Sequence, residues 1–289
     1  MRYLENAFRF TFKNFLITLP LLISMAIPAL IMGIGSIGML ANMGKFQQTI
    51  QDMVSGGNYN FEPSMIFDLY GPAMLISMAV AGVLSLILSI LVYPATYGLI
   101  NKKYETGSSN FSDFTKCMSK FIGRYVLYML LSLAIFIVGT IVFGILIGIG
   151  AVIIATVSKV AGIILLVLFI LAFIVGCIAL GVYMSLWFPA VCIEDTDIIH
   201  GLKNSFKYVS GSFWPIFGIT LLVSLCGGVA SMILSGVVGW VPVIGSVVGP
   251  VVSTLAGFIL IVFYFEIYRE KTGRYAVPET FKQIDGAVQ

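Results

Sequence analysis

Glu194, Asp195, Asp197 and the single histidine, His200, form the densest group of chemically competent side chains in the sequence. Carboxylates beside an imidazole could hold a hard cation or pass protons to a substrate. The competing reading is local. Pro189 and the acids end one helix, and Thr196 or Asp197 caps the next while complementing its dipole. An internal repeat favours capping, because the equivalent positions are Gly107, Ser108, Asn110 and Asp113, which keep capping ability and lose the ligand set. With one histidine, neither a His-Glu-X-X-His nor a His-X-X-Glu-His zinc pair can form. Glu266, the carboxylate deepest in an apolar stretch, is the remaining candidate, with Ser85, Ser89, Ser224, Ser231 and Ser235 as further lining of a polar cavity. These residues predict no enzyme and no cofactor.

The elements that position them are set by an unusual composition. The chain has 289 residues, 59% apolar and only 10% charged, far below the ~25% charged of soluble domains. Residues 14–44, 69–101, 125–158, 160–193 and 208–265 contain no Asp, Glu, Lys, Arg or His. Each exceeds the roughly 20 residues that cross a bilayer core as a helix. Residues 239–245, Gly-Trp-Val-Pro-Val-Ile-Gly, interrupt the last run, so six spans are expected near 14–40, 72–100, 125–157, 160–190, 212–238 and 247–267. A soluble helical core would need polar helix faces, and these runs are apolar all round.

Charge asymmetry predicts the threading. Fourteen of the sixteen Lys and Arg fall before the first span, between the second and third, between the fourth and fifth, or after the sixth; only Lys45 and Lys159 fall in the opposite connections. The positive-inside rule then puts both termini in the cytoplasm. The net charge of +3 reads as attraction to anionic headgroups, about 1 kcal/mol per basic residue near the surface, and needs no nucleic acid. The first span is too long for a signal-peptide apolar region and is expected to be retained. Cys117 and Cys192 fall on the cytoplasmic side and Cys177 and Cys226 within spans, so no disulfide is expected. The three tryptophans, Trp187, Trp214 and Trp240, fall at span ends and are expected in an aromatic belt.

Segments 4–15, 113–126 and 200–213 align without gaps. The alignment stacks Glu5 with Lys116 and Lys203, Arg9 with Lys120 and Lys207, and Lys13 with Arg124 and Gly211. Spacings of four put these charges on one helix face. In the first copy Leu4, Phe8, Phe12 and Phe15 form the other face, the pattern of a helix lying in the membrane interface. The expected fold is therefore an all-α integral membrane protein: six transmembrane helices as three hairpins, each preceded by a cytoplasmic interfacial amphipathic helix. It is read as a single polytopic domain over 1–289, with repeat units about 1–107, 108–196 and 197–275 and a cytoplasmic tail at 276–289. Arg9, Lys13, Lys116, Lys120, Arg124, Lys203 and Lys207 are the candidate headgroup contacts.

Phe188-Pro189-Ala190-Val191, Glu194, the stretch from Gly201 to Lys207 and Gly211-Ser212-Phe213-Trp214 resemble the membrane domain found with some bacterial glycerophosphoryl diester phosphodiesterases, and related six-span proteins. The resemblance implies an anchoring or accessory role in contact with lipid. It carries over no catalytic residue, because the phosphodiesterase chemistry belongs to a separate soluble barrel. The leading expectation is a non-enzymatic inner-membrane protein that binds lipid or a partner membrane protein. A transporter or channel for a lipid, peptide or other amphipathic solute is the alternative, suggested by glycine-rich spans carrying Pro20, Pro28 and Pro94 and by the serine faces.

Overall fold

The computed structural model describes residues 2–41, 44, 47, 48, 51, 55, 64–110, 112–156 and 159–274. The regular elements among them are all helical: α1 (Arg2–Lys13), α2 (Phe15–Ala41), α3 (Ser64–Thr106), α4 (Asp113–Thr156), α5 (Lys159–Met184), α6 (Trp187–Glu194), α7 (Ile198–Ser210), α8 (Phe213–Val238) and α9 (Pro242–Lys271). Six of these, α2, α3, α4, α5, α8 and α9, are long and apolar enough to cross a membrane. Their outer surfaces carry large apolar side chains such as Leu16, Phe136, Val160 and Met232, exposed over most of their area. Water does not tolerate apolar surface on this scale, whereas hydrocarbon does. The spacing of Phe46, Ile50 and Met53 suggests one side of a short amphipathic helix; these residues and the tail at 276–289 lie outside the described residues.

Helix boundaries follow local chemistry. At Gly71 the backbone has φ 71°, a left-handed conformation that glycine adopts without a Cβ clash. This kinks α3, and Pro72 starts the helical stretch that follows, since it lacks the N–H that a first-turn residue leaves unused. Helix α3 ends at another left-handed glycine, Gly107, whose N–H bonds back to Lys103. The end of α9 is a Schellman-type stop: Gly273 is left-handed, and the Arg274 N–H reaches the Arg269 carbonyl at 2.9 Å.

Two boundaries differ from the sequence expectation. The segment 113–126, expected as an interfacial helix of its own, is instead the opening of α4, which runs unbroken for 44 residues. At 1.5 Å per residue that is about 66 Å, roughly twice the hydrocarbon thickness. The first copy breaks at Asn14 and the third at Gly211-Ser212, where turns interrupt the helix. The second offers only Gly123, and one helical glycine costs about 1 kcal/mol without ending a helix. The fourth span reaches past the expected 190 to Glu194 but is made of two helices: α5 stops at Met184, and a turn at Ser185-Leu186 starts α6.

The chain divides into two compact units. Met1–Thr96 and Thr220–Phe263 form the first. There α8 and α9 run antiparallel, because the pairs Gly227 with Ala256 and Ser231 with Gly249 take residues in opposite chain order. Glycines permit this approach: a methyl on Gly249 would lie 2.6 Å from Ser235 Oγ, and one on Gly33 would lie 2.2 Å from Ser246 Oγ. The Ser246 hydroxyl donates to Ala29 O at 2.9 Å, tying α9 to α2.

Tyr97–Ile219 and Tyr264–Gln289 form the second unit. Here α4 and α5 pack antiparallel along their length, through Ile154 on Gly162, Gly150 on Leu166 and the stacked rings of Phe143 and Phe173, 4.0 Å apart.

Candidate functional site

The centre of the second unit is α6. Its residues from Trp187 to Ile193 are all buried, although the sequence places Trp187 in an interfacial belt. Trp187 is 0% exposed and its indole N–H donates to Ile198 O at 2.7 Å. A buried tryptophan needs such an acceptor, and the α6–α7 turn supplies one. Phe188 packs edge-on against Tyr97 of α3 and Tyr125 of α4. Gly201 of α7 admits α6 closely, since a Cβ there would lie 2.4 Å from Val191 Cγ2. Trp214 and Trp240, by contrast, are 76% and 83% exposed.

The end of α6 leaves backbone carbonyls without helical partners, and side chains from distant segments supply donors. Asn101 Nδ2 donates to Cys192 O at 3.1 Å, and Arg274 Nη1 donates to Ile193 O. Glu194, the last residue of α6, accepts from the Tyr268 hydroxyl at 2.6 Å and from Asn204 Nδ2 at 2.7 Å. Bonds to a charged acceptor are the strong ones, so Glu194 pins α6 to α7 and α9.

Asp195 is the C-cap of α6, so the acids do end that helix, whereas Pro189 lies inside it. Asp195 sits in the left-handed region at φ 51°, which Asp tolerates better than most residues. Its Oδ1 meets Arg124 Nη1 and its Oδ2 lies 3.0 Å from Lys120 Nζ, joining the α6–α7 turn to the basic face of α4. The Arg124 guanidinium, and after it the Lys120 ammonium, hold the Asp195 carboxyl below its ordinary pKa. Asp197 occupies the N-cap position of α7 but makes no side-chain cap bond. His200 is exposed. The four residues are thus split among a half-buried anchor, an ion-pair bridge and two solvent positions, and no cluster of three or more metal-ligating side chains occurs among the described residues.

Glu266 is 4% exposed and accepts from the Tyr104 hydroxyl at 2.5 Å. Arg269, one turn later and 6% exposed, stacks on the Tyr104 ring and reaches Asn101 Oδ1 at 3.4 Å. Glu105 accepts from the same Asn101 at 2.9 Å. This network links α3 to the end of α9. The serines proposed as cavity lining do not join it. Ser85, Ser89, Ser224, Ser231 and Ser235 belong to the other unit, where Ser231 donates to Gly249 O.

Among the candidate headgroup contacts, Arg9 and Lys13 lie exposed on α1, Lys116 and Lys120 exposed and Arg124 half-buried on α4, and Lys203 and Lys207 exposed on α7. On α1 the core side is Ala7, Phe10 and Thr11, while Phe8 and Phe12 stack on each other in the open beside Arg9 and Lys13. On α7 the core side is Ile198, Gly201, Ser205 and Val209, and Ile199, Lys203, Phe206 and Lys207 face out. Sequence reasoning missed Asn101, Tyr104, Asn204, Tyr268 and Arg274. Asn101 and Tyr268 at the margins of apolar runs were the available signal.

The regular elements among the described residues are all helical, and six apolar helices among them have the length and composition of a multi-pass membrane protein. The chain belongs to the family described as Domain of unknown function (DUF7847), whose model matches residues 25–271. That description names no phosphodiesterase, and the match gives the resemblance to their membrane domain no support. No curated protein and no solved structure matches the chain.

Proposed function

We propose that this chain is a non-enzymatic protein of a bacterial cytoplasmic membrane that binds anionic lipid headgroups and serves as an anchoring or accessory domain for a membrane partner. Its six spans form three hairpins with both termini in the cytoplasm, and each hairpin is entered through a basic segment: α1, the first three turns of α4, and α7. The observation that carries this reading is that α1 and α7 each expose cations and large apolar side chains together. Phe12 is 64% and Ile199 57% exposed on the same helices as Arg9, Lys13, Lys203 and Lys207. A helix bathed only in water has no use for Phe12 or Ile199 in the open. At an anionic interface the rings enter the acyl boundary and the cations meet phosphate.

The test is lipid selection by the full chain in nanodiscs of phosphatidylcholine mixed with phosphatidylglycerol. Native mass spectrometry should show phosphatidylglycerol retained in preference to phosphatidylcholine. Replacing Arg9, Lys13, Lys203 and Lys207 together by glutamine should remove most of that preference, at about 1 kcal/mol per charge. Equal retention of the two lipids by the wild-type chain would refute the proposal.

A further inference from the structure

Lys120, Arg124 and Asp195 form an arrangement that lipid binding at α1 and α7 does not explain. Lys120 and Arg124 stand one turn apart on α4, and both lie over the buried ring of Phe121, with Lys120 Nζ 5.0 Å and the guanidinium carbon of Arg124 5.9 Å from its centroid. Phe121 is 2% exposed and fixed in the core of the second unit, so the ring holds two cations side by side. Like charges so placed repel unless an anion sits between them. Asp195 is that anion, with one carboxylate oxygen on each cation.

Two oxygens on one centre, each meeting a separate cation, is also how a phosphate group engages a Lys–Arg pair. The side chains of Lys120, Arg124 and Asp195 are 53%, 34% and 52% exposed, so an external anion can reach the pair and Asp195 can leave it. Lys116, a turn earlier on the same helix and exposed, adds a third positive charge at its edge.

We infer that Lys120 and Arg124 form a phosphate-binding site for which Asp195 is the built-in competitor. The ligand class is a phosphate ester, carried by a lipid headgroup or free in solution. When phosphate displaces Asp195, the α6–α7 turn loses its tie to α4, so occupancy of the site is coupled to the position of that turn. The inference rests on the proposed lipid-binding function but concerns residues outside α1 and α7.

The experiment compares the wild-type chain, Asp195→Asn, Lys120→Gln/Arg124→Gln and the triple variant. Phosphatidylglycerol binding in nanodiscs is read by native mass spectrometry, and inorganic phosphate binding to the detergent-solubilised chain by calorimetry. Asp195→Asn should raise phosphate affinity about three- to tenfold by removing one competing charge at surface screening, and the triple variant should lose the gain. A gain for phosphatidylglycerol alone assigns the site to lipid, and a gain for both probes assigns it to phosphate esters in general. Unchanged affinity for both probes in a folded Asp195→Asn chain overturns the inference while leaving selection by α1 and α7 intact. If Asp195→Asn does not fold, the comparison of wild type with Lys120→Gln/Arg124→Gln decides. A loss of phosphate binding supports the site, and unchanged binding overturns it.

Discussion

Glu194 receives two hydrogen bonds from partners on different helices, so the Glu194→Ala chain leaves the Tyr268 hydroxyl and the Asn204 amide to find other acceptors. A loss of about 1.5–3 kcal/mol is expected, seen as an earlier unfolding midpoint in a denaturant titration of the detergent-solubilised protein. Trp187→Phe removes the donor to Ile198 O and part of a fully buried ring, and should cost about 1–3 kcal/mol in the same assay. Asp195 gives a pH signature. Its folded pKa is depressed below the ordinary 3.8, so its contribution is complete above that value and disappears as pH falls through the lower folded value. Wild type should therefore outlast Asp195→Asn by a constant small margin between about pH 5 and 8, and the margin should close only below 3.8. It will be small because the side chain is half exposed. At this scale the acids at 194–200 were legible as structural, but their partners were not. Asp195 binds Arg124, 71 positions away, and Trp187 was assigned by its place at a span end, a criterion that cannot separate a belt residue from one buried under a neighbouring helix.

Glycines separate the helix contacts that matter from those that only match a pattern. Residues 144–148 and 245–249 both read Gly-X-X-X-Gly, the signature of close helix approach. Gly249 does meet serine side chains of α8, whereas Gly144 and Gly148 have nothing within 4 Å of an added Cβ. The close approach in α4 and α5 is instead at Gly162, where a methyl would lie 2.3 Å from Ile154 Cγ1 and 2.7 Å from Ile154 N. Gly162→Ala should thus destabilise the pair by about 1–3 kcal/mol. Gly144→Ala should be neutral or stabilising by up to about 1 kcal/mol through helix propensity. Unfolding midpoints of the two variants in one detergent check the contrast. The six apolar helices could be read from the sequence because runs without charge have one stable form in hydrocarbon. The fusion of the second basic segment into α4 could not, because the repeat fixes which residues are equivalent but not whether the backbone between them turns.

For the whole molecule, the account depends on the distribution of charge along the chain. Fourteen of sixteen Lys and Arg lie in segments that one threading brings to one leaflet. Moving any such segment across the bilayer would carry two or more cations through hydrocarbon, at about 2.5–3.5 kcal/mol each by insertion scales. The most direct test is cysteine accessibility in intact cells, with a membrane-impermeant maleimide and the four native cysteines replaced. Cysteine placed at Lys116 or Lys203 should be protected until the membrane is permeabilised, and cysteine at Lys159 should label from outside. Labelling of the Lys116 or Lys203 position in intact cells, with Lys159 protected, would contradict the threading and the lipid-facing role of the basic helices with it.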